Sequence, residues 1–265
     1  MGRNALAGVR CRRPDASLHA QARARALFHR LLRALLYALV MTTGAQAASL
    51  QITPVMVNLR PDETATAITL SNDGTEPIYG QVRVFRWDQA NGDDALTPTQ
   101  DMVASPPLIE MGPGARQIIR LLRTGPQAPQ AEQTFRILID EIAPPELGTQ
   151  SGVTVRLRYS VPIFITPGAV AAPALKWTVQ RVDGRWVLEA RNDGGRHAQV
   201  AAAQLVAGEH VYDINKGLLG YALAGRTRRW QLTLPADATL KAPLKLRARI
   251  NANPAEAAVT LSPAP

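Results

Sequence analysis

Cysteine, histidine and aromatic residues are all scarce: the chain has one cysteine and four histidines in 265 residues, and only 5% of it is Phe, Trp or Tyr. A lone Cys11 excludes an internal disulfide and leaves no thiolate cluster for a metal. Two histidines precede residue 48; the other two, His197 and His210, have no partner at metal-ligand spacing, and both sit near expected strand ends. Asp140 and Glu141 are adjacent in an apolar run, so on a strand they face opposite ways and do not converge as a catalytic pair would. No glycine loop of the phosphate-binding kind is present. These absences argue against an enzyme: no catalytic residue, cofactor or metal site is expected. No dense basic run interleaves with aromatics, so nucleic acid is not an expected partner.

The charge is concentrated at the N-terminus. Residues 1–47 hold eight of the 30 basic residues and one of the 21 acids, Asp15, so they carry +7 of the formal +9. Within them an apolar stretch from Ala34 to Met41 precedes Ala45-Gln46-Ala47, the small-x-small pattern that signal peptidase reads. Cleavage after Ala47 is expected, leaving 218 residues at about +2 and no cysteine. The apolar stretch is shorter than the roughly 20 residues that span a bilayer, so stable membrane insertion is not expected.

The rest reads as strands and turns, an all-β chain with length for two sandwich domains. Leu50 and Ile52, then Val55, Val57 and Leu59, alternate with a slip at Pro54, as a strand does when it passes from one sheet to another. Further strands are expected at Ala65–Leu70, Tyr79–Trp87, Leu108–Met111, Gln117–Leu122 and, buried on both faces, Phe135–Ile142. Asp88–Asp94 reads as a polar loop. Pro167 to Pro173 is a small-residue linker, placing a boundary between domains 48–167 and 168–265. Beyond it, strands are expected at Val187–Arg191, Ala198–Val206, His210–Ile214, Arg228–Leu234, Leu244–Ile250 and Ala258–Leu261. Asn72-Asp73-Gly74 and Asn192-Asp193-Gly194 stand at matching places, a repeat signal that any hairpin-like turn would also give.

One stretch stands apart. From Gly152 to Pro167, Val153, Val155, Leu157, Tyr159 and Val161 alternate with Thr154, Arg156, Arg158 and Ser160. The pattern gives one apolar and one polar face. Pro162 lacks the N–H a ladder needs, so the strand is expected to end there and to run along an edge. An apolar edge of this kind can accept or donate a strand, and it favours self-association of the free protein.

Taken in order, several of these elements resemble the periplasmic chaperones that assemble pili through the chaperone–usher pathway, most closely the archaic, sigma-class branch. They are the proline-interrupted first strand, Ser71-Asn72, Trp87-Asp88-Gln89, Pro106-Pro107 to Pro113-Gly114, Gln117 to Leu121, Phe135-Arg136, Asp140-Glu141-Ile142, Tyr159-Ser160-Val161-Pro162, and Gly220-Tyr221 with Trp230. The resemblance implies two immunoglobulin-like sandwiches in a boomerang arrangement, with pilin subunits and an outer-membrane usher as partners in the periplasm. It implies that Val153, Val155, Leu157 and Tyr159 fill the groove of an incomplete pilin by donor-strand complementation. The family's arginine and lysine anchors for the subunit carboxylate match Pro54 and Pro162 here, which bind no carboxylate. Arg136 and then Arg158 are the candidates in their place, with an internal ion pair to Asp140 or Glu141 as the alternative for Arg136. Arg120 reads as structural, and Trp87, Trp177, Trp186 and Trp230 as core or interdomain packing. The competing reading is a secreted two-domain adhesin or structural interaction protein, in which the alternating strand merely closes its own sheet.

Overall fold

The computed structural model describes residues 50–125, 129–143, 155–235 and 238–262, and no helix occurs among them. Ten strands precede residue 166: β1 Leu50–Thr53, β2 Val57–Leu59, β3 Ala65–Asn72, β4 Ile78–Ala90, β5 Asp93–Pro98, β6 Met102–Ser105, β7 Leu108–Met111, β8 Arg116–Arg123, β9 Gln133–Glu141 and β10 Arg158–Ile165. They form one sheet in the order β1-β3-β8-β6 and another in the order β2-β10-β9-β4-β5, with β7 also on β4. The slip at Pro54 does what the alternation requires: β1 pairs with β3 in the first sheet, and β2 pairs in parallel with β10 in the second. Ile68, Leu70, Ile119, Phe135, Ile137, Ile139 and Ile163 fill the space between the sheets and are fully buried. The dense run around Ile137 is central, lying between β10 and β4 and also burying Leu138 on its other face.

An irregular segment, 166–174, leads to seven more strands: β11 Leu175–Val182, β12 Arg185–Asn192, β13 Ala198–Ala207, β14 His210–Ala222, β15 Thr227–Gln231, β16 Leu244–Ile250 and β17 Asn253–Leu261. They form one hydrogen-bonded sheet in the order β14-β13-β16-β17-β11-β12-β15. The two halves of this sheet meet at β17, where Val259 is in register with both Leu244 and Trp177. Both halves bury their apolar residues in one core, with Val200, Leu205 and Leu246 from one half and Val179, Leu188 and Trp230 from the other. The immunoglobulin-like sandwich character is thus present in both parts of the chain.

Two expectations are corrected. Pro162 does not end its strand: β10 runs from Arg158 to Ile165 with Pro162 inside it. Asp88–Asp94 is not a loop, because β4 continues to Ala90 and turns straight into β5 through Asn91 and Gly92, both at positive φ. Asn-Gly at the two central positions is the combination that a tight hairpin favours. The two Asn-Asp-Gly segments are turns, and neither closes a hairpin. The first carries the chain from β3 in one sheet to β4 in the other, and the second joins β12 to β13, which are not neighbours.

What the two turns share is a fully buried asparagine. Asn72 Nδ2 donates to the carbonyls of Glu76, Met111 and Gly112 at 2.8, 3.0 and 3.1 Å, and its Oδ1 accepts from Gly74 N–H. Asn192 Nδ2 donates to the carbonyls of Arg196 and Ala222, and its Oδ1 accepts from the N–H of Gly194 and Ala174. Each side chain ties its own turn to a chain segment distant in sequence.

Candidate functional site

The first part of β10 has an open backbone edge. Glu141 N–H donates to the Leu157 carbonyl at 3.0 Å. Because backbone groups alternate sides along an antiparallel strand, those of 157, 159, 161, 163 and 165 face β9, and those of Arg158, Ser160 and Pro162 face the other way. On that other side β2 covers only Ile163 to Ile165. Among the described residues no strand pairs with the edge from Arg158 to Pro162. The missing N–H of Pro162 therefore falls where no ladder bond exists, which is why the strand passes through it.

The alternating face divides between solvent and core. Val155 is 74% exposed, Leu157 is half-buried, and Tyr159 packs against the N-terminal core beside buried Val161. Val153 lies outside the described residues. Leu157 and Tyr159 are both tied to Glu141, whose carboxylate accepts from Leu157 N–H at 3.2 Å and from the Tyr159 hydroxyl at 3.3 Å. Burial, helped by this carboxylate, pushes the Tyr159 pKa from 10.0 up to about 12. A raised phenol pKa favours the neutral form, so its stability contribution is complete below pH 10 and is lost as pH rises to 12. Urea midpoints should therefore fall less between about pH 9 and pH 12 in Tyr159→Phe than in the wild type; equal falls would refute this.

Arg136 and Arg158, though on adjacent strands, differ in their partners. Asp140 and Glu141 do face opposite ways: Asp140 lies on the outer face, where it receives Arg83 Nη2 at 2.6 Å and also Arg158 Nε. Burial acts to raise the Asp140 pKa, but the two guanidiniums hold it below its usual value. Arg158 is thus engaged internally. Arg136 is not: no described carboxylate forms an ion pair with it, and its guanidinium carbon lies 3.7 Å from the centre of the Trp87 ring and 5.3 Å from that of Tyr221. Burial lowers its pKa, opposed by the nearby charge of Asp94. A half-buried cation held by ring faces and lacking a carboxylate is suited to receiving one from outside. Arg120, in contrast, is exposed on β8 and has no described partner of the kind a structural role would require.

The rings around Arg136 belong to a joint between the two parts of the chain. Trp87 meets Tyr221 edge-on at 5.4 Å and Phe164 at 5.8 Å, with Leu223 and Met56 packed alongside. His197 stacks on Phe164 at 3.4 Å, and Glu132, whose side chain is fully buried, accepts from His197 N–H, from Thr166 Oγ1 and at His197 Nδ1. Gln89 inserts its carboxamide between backbone groups, donating to the Tyr221 carbonyl at 2.8 Å and accepting from Leu223 N–H at 3.0 Å. Arg226 clasps Asp88 with two hydrogen bonds, and Arg229 N–H donates to the carbonyl of Gly92. Trp177 and Trp230 stack in the C-terminal core, and Trp186 carries Arg181 over its ring. Gln89, Arg226 and Glu132 went unassigned in the sequence; the available signal was Trp87-Asp88-Gln89 itself, masked by its reading as the start of a loop.

Residues 49–171 match the family model described as pili and flagellar-assembly chaperone, PapD N-terminal domain. The chaperone protein CssC of Escherichia coli is 22% identical over 129 residues, 45% of this chain and 53% of CssC, so the match spans about half the length of that relative. Among solved structures, a chain of the CsuC–CsuE chaperone–tip adhesion subunit pre-assembly complex, from archaic chaperone–usher Csu pili of Acinetobacter baumannii, is 23% identical. The similarity covers 81% of this chain and all of that one, with a TM-score of 0.63. The YadV chaperone is 18% identical over 80% of this chain and all of its own, with a TM-score of 0.58. A chain of the Salmonella enterica SafA pilin–SafB chaperone complex is 17% identical over 81% of this chain and 98% of its own, with a TM-score of 0.54. Over residues 49–171 the chain is therefore similar to the N-terminal domain of the pili and flagellar-assembly chaperones, and it shares the fold of the solved chaperones.

Proposed function

We propose that this protein is a non-enzymatic periplasmic chaperone that caps pilin subunits by donor-strand complementation and delivers them to an outer-membrane usher. In this reading residues 1–47 are a cleaved signal peptide, 48–167 the domain that donates the strand, and 168–265 the second domain. The observation that carries it is the open edge of β10, entered by Val155 and Leu157 and lying beside an arginine with which no described carboxylate pairs. A subunit lacking its last strand would take ladder bonds from Arg158 and Ser160 and bury the aliphatic side chains, each worth about 1.5 to 3 kcal/mol gross before ordering costs. Its terminal carboxylate would reach Arg136. SafA–SafB and CsuC–CsuE are complexes of the same kind, a chaperone with a pilin in one and with a tip subunit in the other.

The test is co-expression with a pilin-like subunit and recovery of the complex from the periplasm. Leu157→Asp should cut the recovered complex at least about tenfold, since a carboxylate cannot be buried unpaired in an apolar groove. Arg136→Gln should lower it as well, while each variant keeps its own melting temperature within a few degrees. Undiminished recovery with Leu157→Asp would overturn the proposal.

A further inference from the structure

Arginines dominate the outer face of the β10–β9–β4 sheet. Arg158, Asp140 and Gln81 lie in one cross-strand row, Ser160, Leu138 and Arg83 in the next, and Pro162, Arg136 and Phe85 in the third. Arg156, exposed just ahead of β10, has no described partner. Among the described residues, four guanidiniums, Arg83, Arg136, Arg156 and Arg158, thus accompany one carboxylate in these rows, Asp140, which is divided between Arg83 and Arg158 and pairs with neither of the others. The carboxylates bordering the face are occupied, Glu110 by the Tyr79 hydroxyl and Asp94 by the Gln89 amide and Arg228. The arginines are also organised on rings, Arg83 over Phe85 at 5.5 Å and Arg136 over Trp87 at 3.7 Å. Arginine against aromatic surface is the composition of interface hot spots. The excess charge is local, because the chain after residue 47 carries only about +2 in total.

We infer that this face recognises an acidic surface on the captured subunit, next to the groove that β10 fills. The inference rests on the reading of β10 as the capping strand and adds the charge of the partner. The arginine face is continuous with the open edge at Arg158, so a strand laid along that edge brings the subunit's flanking surface over Arg83 and Arg156. Complementary charge acts mainly on encounter, raising association rates in a salt-dependent way. Like-charged subunits would be turned away by the same field.

The experiment dilutes a denatured pilin subunit that the chaperone caps into the folded chaperone and follows capture by fluorescence. The wild-type rate should fall at least about tenfold between roughly 50 and 500 mM NaCl. Arg156→Glu, which breaks no described contact, should slow capture severalfold at low salt and weaken the salt dependence. Arg83→Glu should do so more strongly, with Arg83→Lys restoring most of the rate. Capture at rates within twofold across this salt range and in Arg156→Glu would overturn the inference and leave the capping function standing. No capture by the wild type would overturn the capping function itself.

Discussion

Asn192→Ala should lower the unfolding free energy by about 3 kcal/mol. The alanine removes four hydrogen bonds at a fully buried position, and it strands the carbonyls of Arg196 and Ala222 and the N–H groups of Gly194 and Ala174. Each buried polar group left unpaired costs about 1 to 3 kcal/mol, and water entering the turn recovers part of the sum. Asn192→Asp, which keeps the acceptor and loses the donors, should be comparably damaging. Gly194→Ala tests the same turn by sterics: a Cβ would stand 2.2 Å from the Ala172 carbonyl oxygen, against backbone that cannot swing aside. Asn72→Ala should behave like Asn192→Ala, since its Nδ2 hydrogens are shared among three carbonyls. Urea denaturation of residues 48–265 measures all of these, and losses below about 1 kcal/mol would show that the turns satisfy themselves without the asparagines.

Gln89→Leu should cost about 2 to 4 kcal/mol and loosen the joint, because it leaves the Tyr221 carbonyl and the Leu223 N–H buried and unpaired. Hydrogen exchange at the Leu223 amide should accelerate by at least about tenfold, while amides within β9 stay protected. Arg226→Ala, at the exposed clasp to Asp88, should cost less than about 1 kcal/mol. The Arg226 guanidinium, outweighing the opposing effect of burial, holds the Asp88 pKa below its usual 3.8, so this clasp is present above that value and is lost as pH falls through the lowered one. An unchanged exchange rate at Leu223 in Gln89→Leu would mean that the aromatic cluster alone holds the joint.

Much of the fold was legible because it is written in alternation. The slip at Pro54 announced the exchange of sheets, and the run at Phe135–Ile142 announced a central strand, since both depend on which residues are apolar within a short window. The strand β5 was not legible: nearly all its residues are exposed, so no apolar period marks it, and only Asn91-Gly92 hinted at a hairpin. The asparagines looked like turn residues because the carbonyls they bind at Met111 and Ala222 are about 30 to 40 positions away. The same limit applied to the arginines. Nothing local says that Arg158 lies opposite Asp140 while Arg136 lies opposite Pro162 and Phe85; that assignment needs the register of three strands.

Pro162 also governs how far a partner strand can slide along this edge. A partner finds N–H donors at Arg158 and Ser160, no donor at Pro162, and from Ile163 onward an edge already taken by β2. Advancing by two residues would exchange a ladder bond for a blank position, a loss of about 1 kcal/mol, and the next step would collide with β2. The proline and the strand beyond it together act as a mechanical stop, so the site measures register as well as supplying hydrogen bonds.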